Sequence, residues 1–230
     1  MLREQSNLPI TNAINGVNIT ETELEKKALT VNSPKEYIVE LVDRKIIKDF
    51  IEKWHYSHNI NGLISDYCFA LYYLDAIENK KVMIGALIYG SFGMANVWKN
   101  YAENRSDVIE LRRLALINST VRNSESFFIG KSLQWLKKNT TLKKVISYSD
   151  LYYGHEGIIY KASNFTKIGE TSKGRLINCN GKLYHDKAIR TKYKGELKPF
   201  AKRLKIALEN GEAFYVNTPP KNIYQYVLKN

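Results

Sequence analysis

The chain has 230 residues, 44% hydrophobic and 25% charged, with 35 Lys+Arg against 23 Asp+Glu, a formal net charge of +12 and a pI near 9.5. That length suits one full core with extensions, and the basic surplus favours a polyanionic partner, with nucleic acid the first candidate and an acidic membrane surface the second. No apolar run approaches the roughly 20 residues of a membrane span, and the first ten residues lack the apolar centre of a signal peptide, so a soluble, cytoplasmic protein with no membrane partner is expected.

Residues 1 to 34 are rich in Asn, Thr and Ser with little periodicity and predict a flexible polar N-terminal arm. Tyr37 to Val42 reads as a strand, and from Lys45 to Trp54 the apolar Ile46, Ile47, Phe50, Ile51 and Trp54 recur at helical intervals. That helix runs straight into His55, Tyr56, Ser57 and His58. Tyr67 to Leu74 and Val82 to Gly90 are apolar strands joined by a polar turn at Glu78 to Lys81, the pattern of an antiparallel hairpin. Cys68 lies in the first of them and the only other cysteine is Cys179, so neither a zinc ribbon nor a disulfide framework is available. Met94 to Tyr101 shows no decisive period. Val108 to Ile117 is the next strand and carries Arg112 and Arg113 among apolar neighbours. Ser124 then caps a helix that holds Phe127, Phe128, Ile129, Leu133 and Leu136.

Residues 143 to 165 hold the densest chemistry. Val145 and Ile146 begin a β-branched strand that stops at the polar run Ser147 to Asp150; Gly154 to Gly157 loosen the connection. Ile158, Ile159, Ala162 and Phe165 recur at helical spacing, which turns Tyr160 and Lys161 to another face. Ligands of open α/β sheets bind beyond the carboxyl ends of strands, so Asp150 and His155 stand where chemistry is expected, although Asp150 is equally suited to capping a turn. A strand near Lys167 to Thr171 follows, then a hairpin from Arg175 to Tyr184 turning at Asn180-Gly181, a type I′ pair.

The order predicts an α/β fold, a mixed β-sheet flanked by helices over residues 35 to 190, with a basic, aromatic, helical extension over 191 to 230. Residues 182 to 230 hold 11 Lys+Arg and 4 Asp+Glu. Within them Pro199 to Asn210 reads as an amphipathic helix ending at Gly211, with Lys198, Lys202, Arg203 and Lys205 in and beside it. Tyr193, Phe200, Phe214, Tyr215, Tyr224 and Tyr226 interleave with these charges. The mixture suits a phosphate backbone with bases against rings, and it also suits a solvated helix face beside core aromatics.

The element order and two motifs resemble the Gcn5-related N-acetyltransferase fold. Phe127 to Ser132 is similar to the run whose helix N-terminal amides hold the coenzyme A pyrophosphate, with Phe127 standing where that fold has Gln or Arg. Physically, Gly130 lets backbone approach an anion and Lys131 adds a full charge, while a glycine kept for helix packing is the competing reading. Tyr160 to Phe165 resembles the helix ending Tyr-x-x-x-Gly-Phe, with Asn164 in place of Gly, a residue that also reaches left-handed conformations. The resemblance implies acetyl-CoA as cofactor and Tyr160 as the acid for the departing thiolate; a tyrosine filling the helix–sheet interface is the alternative.

Within that superfamily the chain resembles the Mom-type phage DNA-modification proteins. The matches are Trp54 to Ser57, Glu110 to Leu114, Phe128 to Ser132, Ser147 to Asp150, Gly154 to Phe165 and Gly181 to Asp186, in order over about residues 50 to 190. The resemblance implies transfer of a methylcarbamoyl group to the exocyclic amine of adenine in double-stranded DNA, using acetyl-CoA and iron, which shields phage DNA from restriction. It puts His55, Tyr56, Asp150 and Tyr160 at active-site positions and carries Ser124 and Ser132 to the cofactor with Gly130 and Lys131. His55 and Asp150 are ligand types that Fe(II) accepts, and His58 or His155 would complete a facial triad; His55 also reads as an acid–base group or an ordinary satisfied histidine. A paired adenine must be extruded, and Tyr148, Tyr152 and Tyr153 are placed to stack on it. Arg112, Arg113, Lys198, Lys202 and Arg203 would hold the backbone. Two other functions fit the residues: an N-acetyltransferase for an amine of a small molecule, protein or tRNA, and a non-catalytic DNA-binding module on a degenerate scaffold.

Overall fold

The computed structural model describes residues 12–14, 17–19, 31–75 and 79–229. Most of the expected N-terminal arm lies outside them; within it β1 (Asn12–Ile14) and β2 (Val17–Ile19) form an antiparallel hairpin. The chain divides into two compact units, Met1–Ser147 with Ile159–Thr166 and Gln225–Asn230, and Tyr148–Ile158 with Lys167–Tyr224. Among the described residues no helix is long and apolar enough to cross a membrane.

The first unit is built on a mixed sheet. β3 (Ile38–Val42) is followed by α1 (Arg44–Trp54), β4 (Tyr67–Asp75) and β5 (Lys80–Gly90), and the expected hairpin is there, although residues 76–78 of its turn lie outside the described ones. β6 (Val108–Leu116), α2 (Ser124–Asn139) and β7 (Lys144–Ser149) come next. The sheet order is β3-β4-β5-β6-β7, antiparallel until β6 meets β7 in parallel, as a strand–helix–strand crossover requires. Beyond β7 the sheet continues with β14 (Asn222–Val227), and Leu228 N–H donates to Lys143 O at 2.7 Å.

The two faces of this sheet explain its near-continuous apolar strands. Cys68, Ala70, Met83, Ala86, Ile88 and Ala115 pack under Ile47 and Ile51 of α1. Phe69 and Tyr89 turn to the opposite face, where Phe69 meets Trp135 of α2 edge-on at 5.6 Å and Tyr89 bonds Ser132. α1 therefore covers one face and α2 the other. The ambiguous Met94–Tyr101 segment contains a short 3-10 turn, Val97–Asn100.

Two expected boundaries differ. β7 runs through the polar cluster to Ser149, because Ser147 and Ser149 are buried inside the strand and Ser147 Oγ donates to Leu111 O at 3.2 Å. The cap of α2 is Asn123, in left-handed conformation at φ 69, and Ser124 is the first helical residue, buried with Oγ donating to Val121 O.

The second unit has a sheet of its own. β9 (Gly174–Cys179) lies between β10 (Lys182–His185) and β13 (Ala213–Thr218), both antiparallel to it. The turn at Asn180 (φ 51) and Gly181 (φ 79) is the two-residue hairpin the sequence predicts. β11 (Lys192–Tyr193) and β12 (Glu196–Leu197) form a small ribbon, and α4 (Pro199–Glu209) packs on the sheet through Leu204 and Ala207 against Ile177 and Ala213. Asn210 caps α4 and Gly211 leaves it at φ 77, the stop expected there. β8 (Thr166–Glu170) ends beside the start of β14, where Thr171 N–H donates to Lys221 O at 2.9 Å.

Candidate active site

In the first unit the parallel strands β6 and β7 pair for only three residues, Val108 with Lys144 through Glu110 with Ile146. β6 then continues for another six residues to Leu116 while β7 leaves it. On its other side β6 pairs with β5, and the register jumps from Ile88–Arg113 to Tyr89–Leu111, so Arg112 is the extra residue of a β-bulge. A bulge bends its strand and re-aims side chains, and here it sits where the parallel pair opens. The strand edge beyond Leu111 thus offers backbone groups to something other than β7.

The two arginines at the bulge part company. Arg112 Nε lies 3.5 Å from Glu110 Oε1 and its NH1 donates to Ser91 O. Arg113 donates through NH1 to Arg112 O at 2.8 Å and through NH2 to Asn59 O at 3.5 Å. Burial pushes the Arg113 pKa down and the neighbouring Tyr56 pushes it back up, so this half-buried cation and the Tyr56 phenol share one neighbourhood. Both guanidinium groups are engaged within the protein, whereas the sequence reading had them on the DNA backbone.

His55 ends α1 and is buried at 6% exposure, its ring 4.3 Å from that of Tyr56, which is 41% exposed. Its Nδ1 accepts the Ser57 backbone N–H at 3.1 Å and lies 2.8 Å from Ser57 Oγ. A ring nitrogen that accepts from an amide carries no proton, so the neutral imidazole holds its proton on Nε2. His58 turns away at φ 45, with Nδ1 3.0 Å from Glu52 O. The loop after His55 is pinned by Arg44, which donates to Ile60 O at 2.6 Å and Leu63 O at 2.8 Å.

Tyr160 belongs to α3 (Ile158–Ala162), is buried, and stands 5.6 Å ring to ring from Phe165. Asn164 takes φ 62, the left-handed turn that the sequence predicts for an Asn in a Gly position. Tyr89 lies close by: burial drives its hydroxyl pKa well up, the Ser132 hydrogen bond at 2.8 Å lowers it, and Tyr160 and Tyr226 raise it again. The four residues expected at the cofactor do not share one surface. Gly130 faces open space, where an added Cβ meets nothing within 4 Å, so packing does not require it; Lys131 is exposed, over the Phe127 ring at 5.6 Å. Ser124 and Ser132 are buried with their hydroxyls on protein partners.

In the second unit Asp150 is buried, and its carboxylate holds Lys221 Nζ at 2.6 Å through Oδ2 and the Tyr152 N–H at 3.2 Å through Oδ1. It caps the 3-10 turn Leu151–Tyr153, and its carbonyl accepts from Tyr153 N–H and His155 N–H, both at 3.1 Å. Asp150 is therefore a cap and half of an ion pair. Lys221 escaped the sequence reading, since nothing local in Pro219-Pro220-Lys221 announces a partner so far back in the chain. Tyr148 is half-buried, Tyr152 and Tyr153 meet edge to face at 5.2 Å, and His155 is exposed. Gly157, at φ 78, is pressed against Tyr224, whose ring is fully buried and whose hydroxyl donates to Glu156 O at 3.0 Å. Tyr224, read from sequence among the rings for bases, is core. Lys198, Lys202 and Arg203 are exposed at the start of α4.

The donor set does not fit the iron expectation. Among the described residues no three His, Cys, Asp or Glu side chains gather as a metal site. His55 Nδ1 is turned to Ser57 and both Asp150 oxygens already hold protein donors.

The Mom protein family matches residues 36–228. The chain belongs to that family. A curated relative, the methylcarbamoylase mom of Escherichia phage Mu, is 27% identical over 157 residues, which span 66% of this chain and 61% of that protein. Solved structures with similar coordinates include Arabidopsis thaliana NAA60 with acetyl-CoA, at TM-score 0.46, 8% identity, and 83% and 98% of the two chains covered. Another is the Vibrio cholerae spermidine N-acetyltransferase with CoA and spermine, at TM-score 0.44, 9% identity, and 84% and 96% coverage.

Proposed function

We propose that this member of the Mom family transfers an acyl group derived from acetyl-CoA, as methylcarbamoyl, to the exocyclic amine of adenine in double-stranded DNA, protecting that DNA from restriction. The observation that carries the reading is the opened β6 edge beyond Leu111, with Arg112 bulged out of register beside it. An extended arm bearing amides, such as the pantetheine of coenzyme A, can complete such an edge by main-chain hydrogen bonds. Gly130 and Lys131 lie in the second turn of α2, past its free amides, so of the two only the exposed Lys131 ammonium offers charge to the anionic end of the same cofactor. Family membership and the methylcarbamoylase of phage Mu support the transferred group.

In the acyl step the adenine amine attacks the thioester carbonyl, the C–S bond breaks, and the thiolate takes a proton from the Tyr160 hydroxyl. A thiolate needs only a weak acid, and a phenol supplies one. His55, with its proton on Nε2, acts as a hydrogen-bond donor toward developing oxyanion charge rather than as the base, and Arg113 beside Tyr56 adds fixed positive charge to that neighbourhood. Asp150, oriented by Lys221 and the Tyr152 N–H, is the residue assigned to take the amine proton, in exchange for one of these two contacts. This step by itself yields acetyladenine; methylcarbamoyl carries a further NH between methyl and carbonyl, whose insertion requires a nitrogen donor and a two-electron oxidant besides acetyl-CoA, so the mass of the product reports the group.

The test is mass spectrometry of nucleosides from plasmid DNA of cells expressing the chain, beside cells expressing Tyr160→Phe or Asp150→Asn. A deoxyadenosine species heavier by about 57 Da for methylcarbamoyl, or about 42 Da for acetyl, absent with Asp150→Asn, is the expected result. Unmodified DNA from the unaltered chain refutes the reading, and a modified small amine or protein in its place turns it into an N-acetyltransferase of another acceptor.

A further inference from the structure

The ribbon made by β11 and β12 has no share in the chemistry above. Its two strands pair Lys192 with Leu197 and Tyr193 with Glu196, and the turn residues are Lys194 at φ 48 and Gly195 at φ 86. Left-handed conformation at both central positions marks the two-residue turn that favours Asn-Gly, so a lysine there sits at a conformational cost and puts a charge on the tip. Between Arg190 and Lys198 the chain carries four cations, Arg190, Lys192, Lys194 and Lys198, against the single acid Glu196, and all five side chains are exposed. Tyr193 is 66% exposed, more than any other Phe, Tyr or Trp among the described residues, with the Lys194 ammonium 5.6 Å over it.

The base of the ribbon is fixed while its tip is bare. Lys198 N–H donates to Thr191 O at 2.9 Å, closing the ribbon, and Thr191 N–H donates to Ala188 O at 3.1 Å. Ala188 and Ile189, just before it, pack on the core that α4 shares with β9 and β13. Because side chains alternate along a strand, Tyr193 faces one side of the ribbon and Lys192 the other. A two-stranded ribbon fits a DNA groove about 12 Å wide, and one that carries cations on its flanks and a ring near its tip is complementary to phosphate walls with bases between them.

We infer that residues 190–198 are a DNA-probing ribbon: Lys192 and Lys194, flanked by Arg190 and Lys198, contact phosphates of duplex DNA, and Tyr193 stacks on a base exposed when the helix opens. This rests on duplex DNA being the substrate, and it assigns the ribbon as the element that engages it. Nucleic-acid backbone is favoured over a lipid surface because the apolar residues an interfacial segment would bury are missing: between Arg190 and Lys198 only Leu197 is aliphatic, and it is half-buried.

The experiment is fluorescence anisotropy of the full chain on a labelled duplex between 50 and 200 mM salt, with a second duplex carrying 2-aminopurine at the adenine position. Each phosphate contact contributes about 0.9 to the slope of log affinity against log salt, so Lys192→Ala/Lys194→Ala is expected to lower the slope by about 2, and Lys192→Arg/Lys194→Arg to keep it. Tyr193→Ala is expected to keep the slope and lose most of the 2-aminopurine fluorescence gain. Unchanged slope and unchanged fluorescence in these variants, with the unaltered chain binding the duplex, overturn the ribbon's role and leave the acyl transfer standing. If the unaltered chain shows no salt-dependent binding of the duplex, the ribbon's role and the DNA acceptor fall together. Binding of anionic vesicles instead, lost in the same lysine variant, makes the ribbon a membrane element and overturns the inference.

Discussion

Gly157 links Asp150 to Tyr160 along the chain, and the structure states what it must not carry. At φ 78, an alanine there adopts a conformation that costs an L-residue about 1 kcal/mol. Its Cβ would also come closer than 3.0 Å to the Tyr224 ring, which is fully buried and cannot swing aside without surrendering its hydrogen bond to Glu156 O. Overpacking of a filled site costs about 1–3 kcal/mol and the lost hydrogen bond about 1 kcal/mol, so Gly157→Ala should destabilise by about 3–5 kcal/mol in all. Gly154 supplies the control. It has nearly the same φ, 77, but an added Cβ meets nothing within 4 Å, so Gly154→Ala should cost only about 1 kcal/mol. In calorimetry of a chain this size 1 kcal/mol moves Tm by roughly 2–4 °C, which separates the two variants by at least about 4 °C. Equal shifts for both, or a Gly157→Ala protein as stable as the unaltered chain, would refute the packing of Tyr224 against this turn.

Three further outcomes are expected. Arg44→Met should remove both bonds to the Ile60 and Leu63 carbonyls, lower stability to urea by about 2–3 kcal/mol and make the segment after His55 the first site of limited proteolysis; unchanged cleavage there would show the loop stands without Arg44. Burial raises the Tyr89 pKa above its unfolded value, so its contribution is fully present below pH 10 and is lost as pH rises, because the unfolded chain ionises first. Tyr89→Phe should therefore flatten the fall in stability above pH 10 by up to about 1.4 kcal/mol per pH unit, read by urea unfolding at stepped pH; a slope no flatter than that of the unaltered chain would show that Tyr89 is not shielded. Burial likewise raises the pKa of the Cys68 thiol, whereas Cys179 is half-buried, so iodoacetamide should label Cys179 first in the native protein, as peptide mapping would show; prior labelling of Cys68 would contradict the packing of β4 under α1.

What the sequence makes legible here is local. α1 and α2 follow from apolar spacing, the β4–β5 hairpin from its apolar runs, and Asn164, Asn180 and Gly211 take the left-handed turns their residue types favour. What stayed hidden depends on residues far apart in the chain. The Asp150–Lys221 ion pair, the Gly157–Tyr224 contact and the bulge at Arg112 come from tertiary pairing, which leaves no periodic trace. β13 and β14 were missed for a related reason. Their rings lie among lysines and asparagines, so Phe214 to Tyr226 reads as a nucleic-acid surface, although strand pairing with β9 organises part of it and Tyr224 is sealed in the core. Ser147 to Ser149 misled in the opposite sense: hydroxyls signal a loop, but a strand can bury them where a neighbouring carbonyl accepts, as Leu111 O does.

The strand that follows β7 in the first unit's sheet comes from residues beyond position 222, and Leu228, almost wholly buried, is tied there through its bond to Lys143. During synthesis the antiparallel strands β3 to β6 emerge early and can pair at once, since their contacts are close in sequence. The edge of β7 must wait until the whole second unit has been translated, several seconds at ribosomal speed. In that interval the nascent chain exposes an unfinished strand edge, the kind of surface that other chains join. Fusions or truncations that delay or remove residues 225 to 229 should therefore lower the soluble yield well before they touch any residue named here in chemistry.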